Sequence, residues 1–208
     1  KGIEKFGKID AVFNNAGYGL IGALEETSQE QMRSIFETNF FGAVNVVRAI
    51  LPHMREKGNG LIVNMSAKAG YDNYPGFGIY GATKFAMEGM TESLRMEAGH
   101  LGIRATMIEP GPFRTNFVGG SLKKAERQIK EYDKSVRKFH RVLEGLNGKQ
   151  QGDPLRAAEL IVRLIDLEEL PARIPLGKYA LDAWKKKLKA IEEDVNEWEA
   201  QSIATDYP

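Results

Sequence analysis

Short apolar segments alternate along this chain with long segments of helical pattern, and that alternation limits the possible folds more than any other feature. Ile9-Asp10-Ala11-Val12-Phe13 reads as a short buried strand, stopped by the turn-forming cluster Asn14-Asn15-Ala16-Gly17. Leu61-Ile62-Val63-Asn64-Met65 and Ile103-Arg104-Ala105-Thr106-Met107-Ile108 are two more, the last closed by Pro110-Gly111-Pro112. Between the first two, Met32, Ile35, Phe36, Phe40, Val44, Val47, Ile50 and Leu51 recur at helical spacing. Thr27 or Ser28 caps that helix with Glu30 or Gln31 as capping-box partner, and the pattern runs with a break or bend to about Lys57. A second helix is expected from about Tyr80 to Gly99. Single strands joined by crossover helices make a parallel sheet with helices on its faces, an α/β fold.

Composition narrows the function. Among 208 residues, 29 Lys plus Arg against 28 Asp plus Glu leave a net charge of +1, which argues against a nucleic-acid partner. No apolar run reaches the roughly 20 residues that cross a bilayer, so no membrane partner is expected. The polar N-terminus is no signal peptide. The absence of cysteine excludes disulfides, thiolate metal sites and cysteine nucleophiles, and fits a reducing, cytoplasmic location. His53, His100 and His140 lie far apart, and no metal site is expected.

The later part of the chain changes character. Leu122, Ala125, Ile129, Tyr132, Val136, Phe139 and Leu143 step by three or four, with Lys123, Lys124, Arg127, Lys130, Lys134, Arg137, Lys138 and Arg141 between them. This reads as a surface helix with a solvated basic face, or as a lid that draws in an acidic substrate. Asp153-Pro154 starts a further helix, Arg173–Leu176 forms a short last strand, and a charged amphipathic helix spans about Ala180 to Ala200.

The chemistry concentrates in Tyr80-Gly81-Ala82-Thr83-Lys84. Four residues apart on a helix, Tyr80 and Lys84 share a face. An ammonium beside a phenol is expected to lower its pKa, suiting Tyr80 to general acid/base work. The order of the motifs resembles the short-chain dehydrogenase/reductase family, in particular its hydroxysteroid-dehydrogenase-like members, over about residues 5–118. Its marks are Asn14-Asn15-Ala16-Gly17, Thr38-Asn39-Phe40-Phe41-Gly42, Ile62-Val63-Asn64-Met65-Ser66, Tyr80 with Lys84, and Pro110-Gly111-Pro112-Phe113-Arg114-Thr115.

The resemblance implies a Rossmann-like doubly wound parallel sheet, NAD or NADP as cofactor, and interconversion of a secondary alcohol and a carbonyl on a small, hydrophobic alcohol or ketone substrate. It makes Tyr80 the acid/base, gives Lys84 the nicotinamide ribose, and has Asn39 hold a water in a proton relay. It puts Asn15, Ala16, Gly17, Pro110, Gly111 and Thr115 at the cofactor, Thr115 on the carboxamide. Other roles are open: Asn15 tying adjacent strands, Asn39 satisfying backbone at a helix bend, Thr115 capping a helix. The resemblance also implies a homodimer or homotetramer in the full-length form, built on the helices at about 31–57 and 80–99 with Phe40, Phe41, Phe85, Met87, Met90 and Met96.

Two departures set the chain apart from that family. Counted back from Tyr80 and forward from Asn39 by the family's spacings, the active-site serine falls on Ala67, with Ser66 adjacent. No Gly-rich strand–turn–helix precedes Asn14, so Lys1 to Phe6 read as the tail of a helix inside the domain. The expectation is a single partial Rossmann-like domain over 1–208, lacking its N-terminal βαβαβ half of about 70–80 residues at 30 or more per βαβ unit. Residues 116–150 would form the lid or substrate-loop region. The strand at Ile9–Phe13 would be a sheet edge, and the cofactor would bind weakly. Both departures also fit rival readings: a catalytically impaired or non-enzymatic nucleotide-binding or interaction protein, or an incomplete, inactive gene product.

Overall fold

The computed structural model describes residues 2–207. Lys1, the first residue of the helix tail read from the sequence, lies outside them. In chain order the elements are α1 (Gly2–Phe6), β1 (Ala11–Asn14), β2 (Gly19–Ile21), α2 (Gln29–Phe36), α3 (Gly42–Lys57), β3 (Gly60–Met65), α4 (Gly78–Ala98) and β4 (Ile103–Pro110). There follow α5 (Phe117–Gly120), β5 (Leu122–Lys124), α6 (Lys138–Leu146), α7 (Pro154–Arg163), β6 (Arg173–Leu176) and α8 (Lys178–Ile203).

Four strands form a parallel sheet in the order β1-β3-β4-β6, an α/β Rossmann-like arrangement. Successive residues on a strand face opposite sides, and the packing follows. Ile62, Ile103 and Ala105 meet Val47, Ile50 and Met54 of α3 and Leu94 and Ala98 of α4 on one face. Leu61, Val63 and Ile108 meet Ala157 and Ile161 of α7 with Leu164 and Leu170 on the other. Among the described residues β1 is an edge strand, and Phe13 on it is 42% exposed.

The first long helical segment folds as the sequence suggests, with a specific break. Ser28 Oγ accepts from Gln31 N, and Gln31 returns the bond to Ser28 N, a full capping box. Between α2 and α3 a π turn, Glu37–Phe41, inserts extra residues and turns Asn39 inward, where it is buried.

The stretch from Leu122 to Leu143 does not form the single helix its spacing suggests. Leu122–Lys124 pairs in parallel with Gly19–Ile21, so β2–β5 is a second, two-stranded sheet that periodicity missed. Helical structure begins only at Lys130, passes through a π turn at Asp133–Arg137, and continues as α6. This unit packs over the carboxyl ends of the main strands. Leu20, Ile21 and Ala23 join Ile35, Ala69, Phe77, Tyr80 and Val136 in a third cluster, with Phe117, Phe139 and Leu143 against it.

One buried ion pair fixes that cap. Arg137 donates to both Glu26 oxygens, at 2.8 Å to Oε2, while Ala23 N and Ile129 N donate to the same carboxylate at 2.7 Å. The guanidinium holds the Glu26 carboxyl at about 2, well below its ordinary value, so its contribution is present above about pH 4.5 and is lost only as pH falls toward 2. Arg137→Ala leaves a buried carboxylate without its cation and should cost about 3–5 kcal/mol in denaturant unfolding. A loss below about 1 kcal/mol would show that the cap is held by its apolar contacts instead.

Candidate active site

The site forms where β1, β3 and β4 end, the position at which doubly wound sheets receive ligands. A cleft of about 490 Å³ opens there. It takes in Asn15, Gly17, Tyr80, Lys84, Pro110, Gly111 and Thr115, so most of the residues singled out in the sequence come together. Asn39 and Ala16 are not on its wall. Asn39 lies behind Gly17: its Nδ2 donates to Tyr18 O at 2.9 Å and to Thr83 Oγ1 at 3.2 Å, and its Oδ1 accepts from Tyr18 N at 3.0 Å. A Cβ on Gly17 would sit 3.0 Å from Asn39 Oδ1, so a side chain there would press on this hydrogen-bonded amide.

Strand tying belongs to Asn14, not Asn15. Asn14 Nδ2 donates to Asn64 Oδ1 at 2.8 Å, and Asn64 passes the chain on to Thr91 of α4 at 2.8 Å. Asn15 and Thr115 are both exposed at the strand ends, and Thr115 Oγ1 accepts from Phe117 N at 3.3 Å, at the start of α5.

Tyr80 and Lys84 share the buried face of the first turns of α4. Lys84 Nζ donates to Met65 O at 2.8 Å and lies 5.9 Å from the Tyr80 ring centroid. The sequence suggested that the ammonium would lower the phenol's pKa. Burial instead pushes the Tyr80 phenol above its ordinary range, while the same desolvation brings Lys84 down to about 8 against the pull of Glu88. Burial thus favours the protonated form of Tyr80.

The strand end settles where the two neighbouring side chains go. Ser66 is buried and its hydroxyl faces Gly70 and Glu88; a Cβ on Gly70 would collide with Ser66 Oγ. Ala67, in extended backbone at φ −167° and ψ 168°, packs with the cluster around Tyr80. Both residues line the cleft, Ala67 with its methyl group against the Tyr80 cluster and Ser66 with its hydroxyl buried.

Sequence reasoning expected a lid over 116–150 but did not single out the apolar wall that it helps to form. Phe113, Phe117, Phe139, Val142, Leu143 and Ile161 make it largely apolar. They come from three helices, α5, α6 and α7, and the loop after β4, and no local pattern joins them. Lys68 reaches the cleft but is neutralised by Asp72 at 2.5 Å and lies 3.7 Å over the Tyr74 ring. Arg137, from the basic stretch read as a possible attractor of acidic substrates, is spent on Glu26 and Asp133. A larger hollow of about 660 Å³ lies at the opposite end of the strands, beside Asn59, Arg95 and Asp166, away from all of these groups.

Behind Lys84 lies an acidic pair. Arg173 Nε is 3.2 Å from Glu88 Oε2 and 3.7 Å from Glu109 Oε1, and Trp184 Nε1 donates to Glu109 Oε2. Burial, reinforced by the neighbouring Glu88 charge, raises Glu109 to about 8. The folded chain then keeps a proton that the unfolded chain releases at about 4.5, so stability falls as pH climbs from about 4.5 to 8. Glu109→Gln mimics the protonated form and should flatten that fall in a melting-temperature series. An unchanged slope would place the shared proton elsewhere.

Known proteins with the same features agree with one another. A family model described as short chain dehydrogenase matches residues 1–126. An uncharacterized oxidoreductase of Schizosaccharomyces pombe is 37% identical over 183 residues, covering 88% of this chain and 76% of that protein. The crystal structure of a short-chain dehydrogenase from Streptomyces avermitilis superposes with a TM-score of 0.91 at 36% identity, over 99% of this chain and 74% of that one. A short chain dehydrogenase/reductase from Burkholderia phymatum, solved in complex with NAD, gives 0.78 at 25% identity, over 92% of this chain and 69% of that one.

Proposed function

The chain belongs to the short-chain dehydrogenase family of oxidoreductases, and on that premise we propose that its cleft interconverts a hydrophobic secondary alcohol and the corresponding ketone with NAD or NADP. The observation that supports this most is the pairing of Tyr80 and Lys84, buried together where an apolar cleft meets the exposed Asn15–Gly17 and Pro110–Thr115 turns.

Those turns fit a nicotinamide and its ribose: Asn15 and Thr115 offer exposed polar groups beyond the ends of β1 and β4, and Lys84 offers donors from below. When bound, the cofactor supplies or accepts the hydride. In the reducing direction, the neutral Tyr80 Oη gives its proton to the carbonyl oxygen. Lys84, poised near 8, stabilises the phenolate that remains. Asn39 keeps the turn at Gly17–Tyr18 in place. Phe117, Phe139 and Leu143 hold the substrate's apolar body and exclude water, which makes the 116–150 segment a lid. Ala67 supplies no hydroxyl to polarise the carbonyl, so the reaction is slow.

The apolar wall sets the test. With NADH or NADPH at saturation, oxidation of the nicotinamide should speed up as aliphatic ketones lengthen, and 2-oxo acids should be poor substrates. Faster turnover of the acids would overturn the substrate class. Oligomerisation through α3 and α4 is also part of this reading. Phe41 at the end of the π turn and Val46, Phe85 and Met96 on those helices are exposed, whereas Met87, which the resemblance also placed there, is buried in the core.

A further inference from the structure

Lys84 is a buried ammonium whose hydrogen bond goes to a neutral partner, Met65 O at 2.8 Å. A charge so placed is costly unless an opposite one stands near. One turn further along α4, on the same buried face, is Glu88, only 7% exposed. Gly70 packs against both. A Cβ there would lie 3.3 Å from Lys84 Cβ and 3.2 Å from Glu88 Oε1, and would collide with Ser66 Oγ, so the glycine lets these three groups close up.

Other elements bring further charge to Glu88. Arg173 of β6 lies 3.2 Å from its Oε2 and also donates to Glu92 at 2.7 Å, on the exposed side of α4. Glu109 of β4 is 3.7 Å from the same guanidinium and accepts the indole N–H of Trp184 from α8. Ser66 and Tyr71, from the segment after β3, are the remaining polar neighbours.

Glu88 Oε1 and Glu109 Oε1 are buried and accept no hydrogen bond from a described residue. Two carboxyls on one guanidinium do not both ionise, and the pair keeps one proton up to about pH 8. Arg173 is nearer to Glu88 than to Glu109, and Lys84 pulls on Glu88 as well. The proton therefore sits on Glu109 and the negative charge on Glu88.

We propose that Glu88 is a positioning residue for the reaction: its carboxylate, left ionised because Glu109 carries the pair's proton, holds Lys84 in the charged form that the Tyr80 phenolate needs. The role in turnover rests on the reductase reading of the cleft; the hold on Lys84 does not.

In the whole chain made with isotope-labelled lysine, the Lys84 Cε resonance, identified by its loss in Lys84→Met, reports that charge directly. Its midpoint should lie near 8 in the parent. Glu88→Gln should lower it by about one pH unit. Glu88→Asp, which keeps the charge, should restore it, and Glu109→Gln, which mimics the seated proton, should leave it near the parent's. The alkaline limb of ketone reduction should move with it in each variant. A merely structural Glu88 would lower the melting temperature and move neither. The coupling is reciprocal. If Glu88→Gln does not fold, the Glu88 carboxyl resonance decides, and it should titrate higher in Lys84→Met than in the parent. An unmoved Lys84 midpoint in Glu88→Gln, or an unmoved Glu88 midpoint in Lys84→Met, would overturn the proposal even with turnover intact. Shifted midpoints in a chain that reduces no ketone would uphold the hold on Lys84 and count against the reductase reading instead.

Discussion

Replacing Ala67 by serine is expected to raise ketone reduction by about 10²–10³, the range found when a single donor to a developing oxyanion is removed or restored. The geometry makes the change specific. Ala67 packs with the Tyr80 cluster on the cleft side, so a hydroxyl there gains a carbonyl oxygen within reach of the same proton donor. Ser66, one residue earlier, has its hydroxyl buried beside Gly70 and Glu88. Ser66→Ala should therefore leave turnover within a few-fold of the parent. If Ser66→Ala abolished activity and Ala67→Ser changed nothing, the strand end would turn differently with substrate bound, and Ser66 would be the polarising donor.

Tyr80→Phe should lower turnover by about 10²–10⁴, the usual contribution of a positioned general acid. The substitution keeps the ring, and with it the contacts to Phe77 at 5.1 Å and Phe117 at 5.7 Å between centroids. The melting temperature should hold while the rate falls, which separates a chemical role from a packing one. Equal losses of stability and rate would point to Tyr80 as a core residue.

The main sheet was legible because β3 and β4 are short, mostly apolar segments, β4 closed by Pro110-Gly111, and the helical segments before and between them keep helical spacing, the first opened by the Ser28–Gln31 capping box. The cap over the cleft was not. Leu122, Ile129, Val136 and Phe139 keep a helical spacing, yet Leu122–Lys124 lies beside β2, because Gly19 and Gly22 let another chain segment approach closely: a Cβ on Gly19 would strike Leu122, and one on Gly22 would strike Ala125. Tertiary contact there overrides a local period. In the site, Tyr80 and Lys84 were legible because four residues on a helix fix a shared face. Their protonation states were not, since the burial of Tyr80 depends on Leu20, Ile21, Phe117 and Val136 arriving from other parts of the chain.

The central claim is that Tyr80 is the proton donor of a reductase slowed by the methyl group of Ala67. It is tested most directly by ketone-dependent oxidation of the nicotinamide in the parent, Ala67→Ser, Tyr80→Phe and the double variant. The serine should accelerate the reaction when Tyr80 is present and do little when it is absent, because both groups act on one oxygen. A serine effect of the same size in the Tyr80→Phe background, or a Tyr80→Phe rate equal to the parent's, would contradict it.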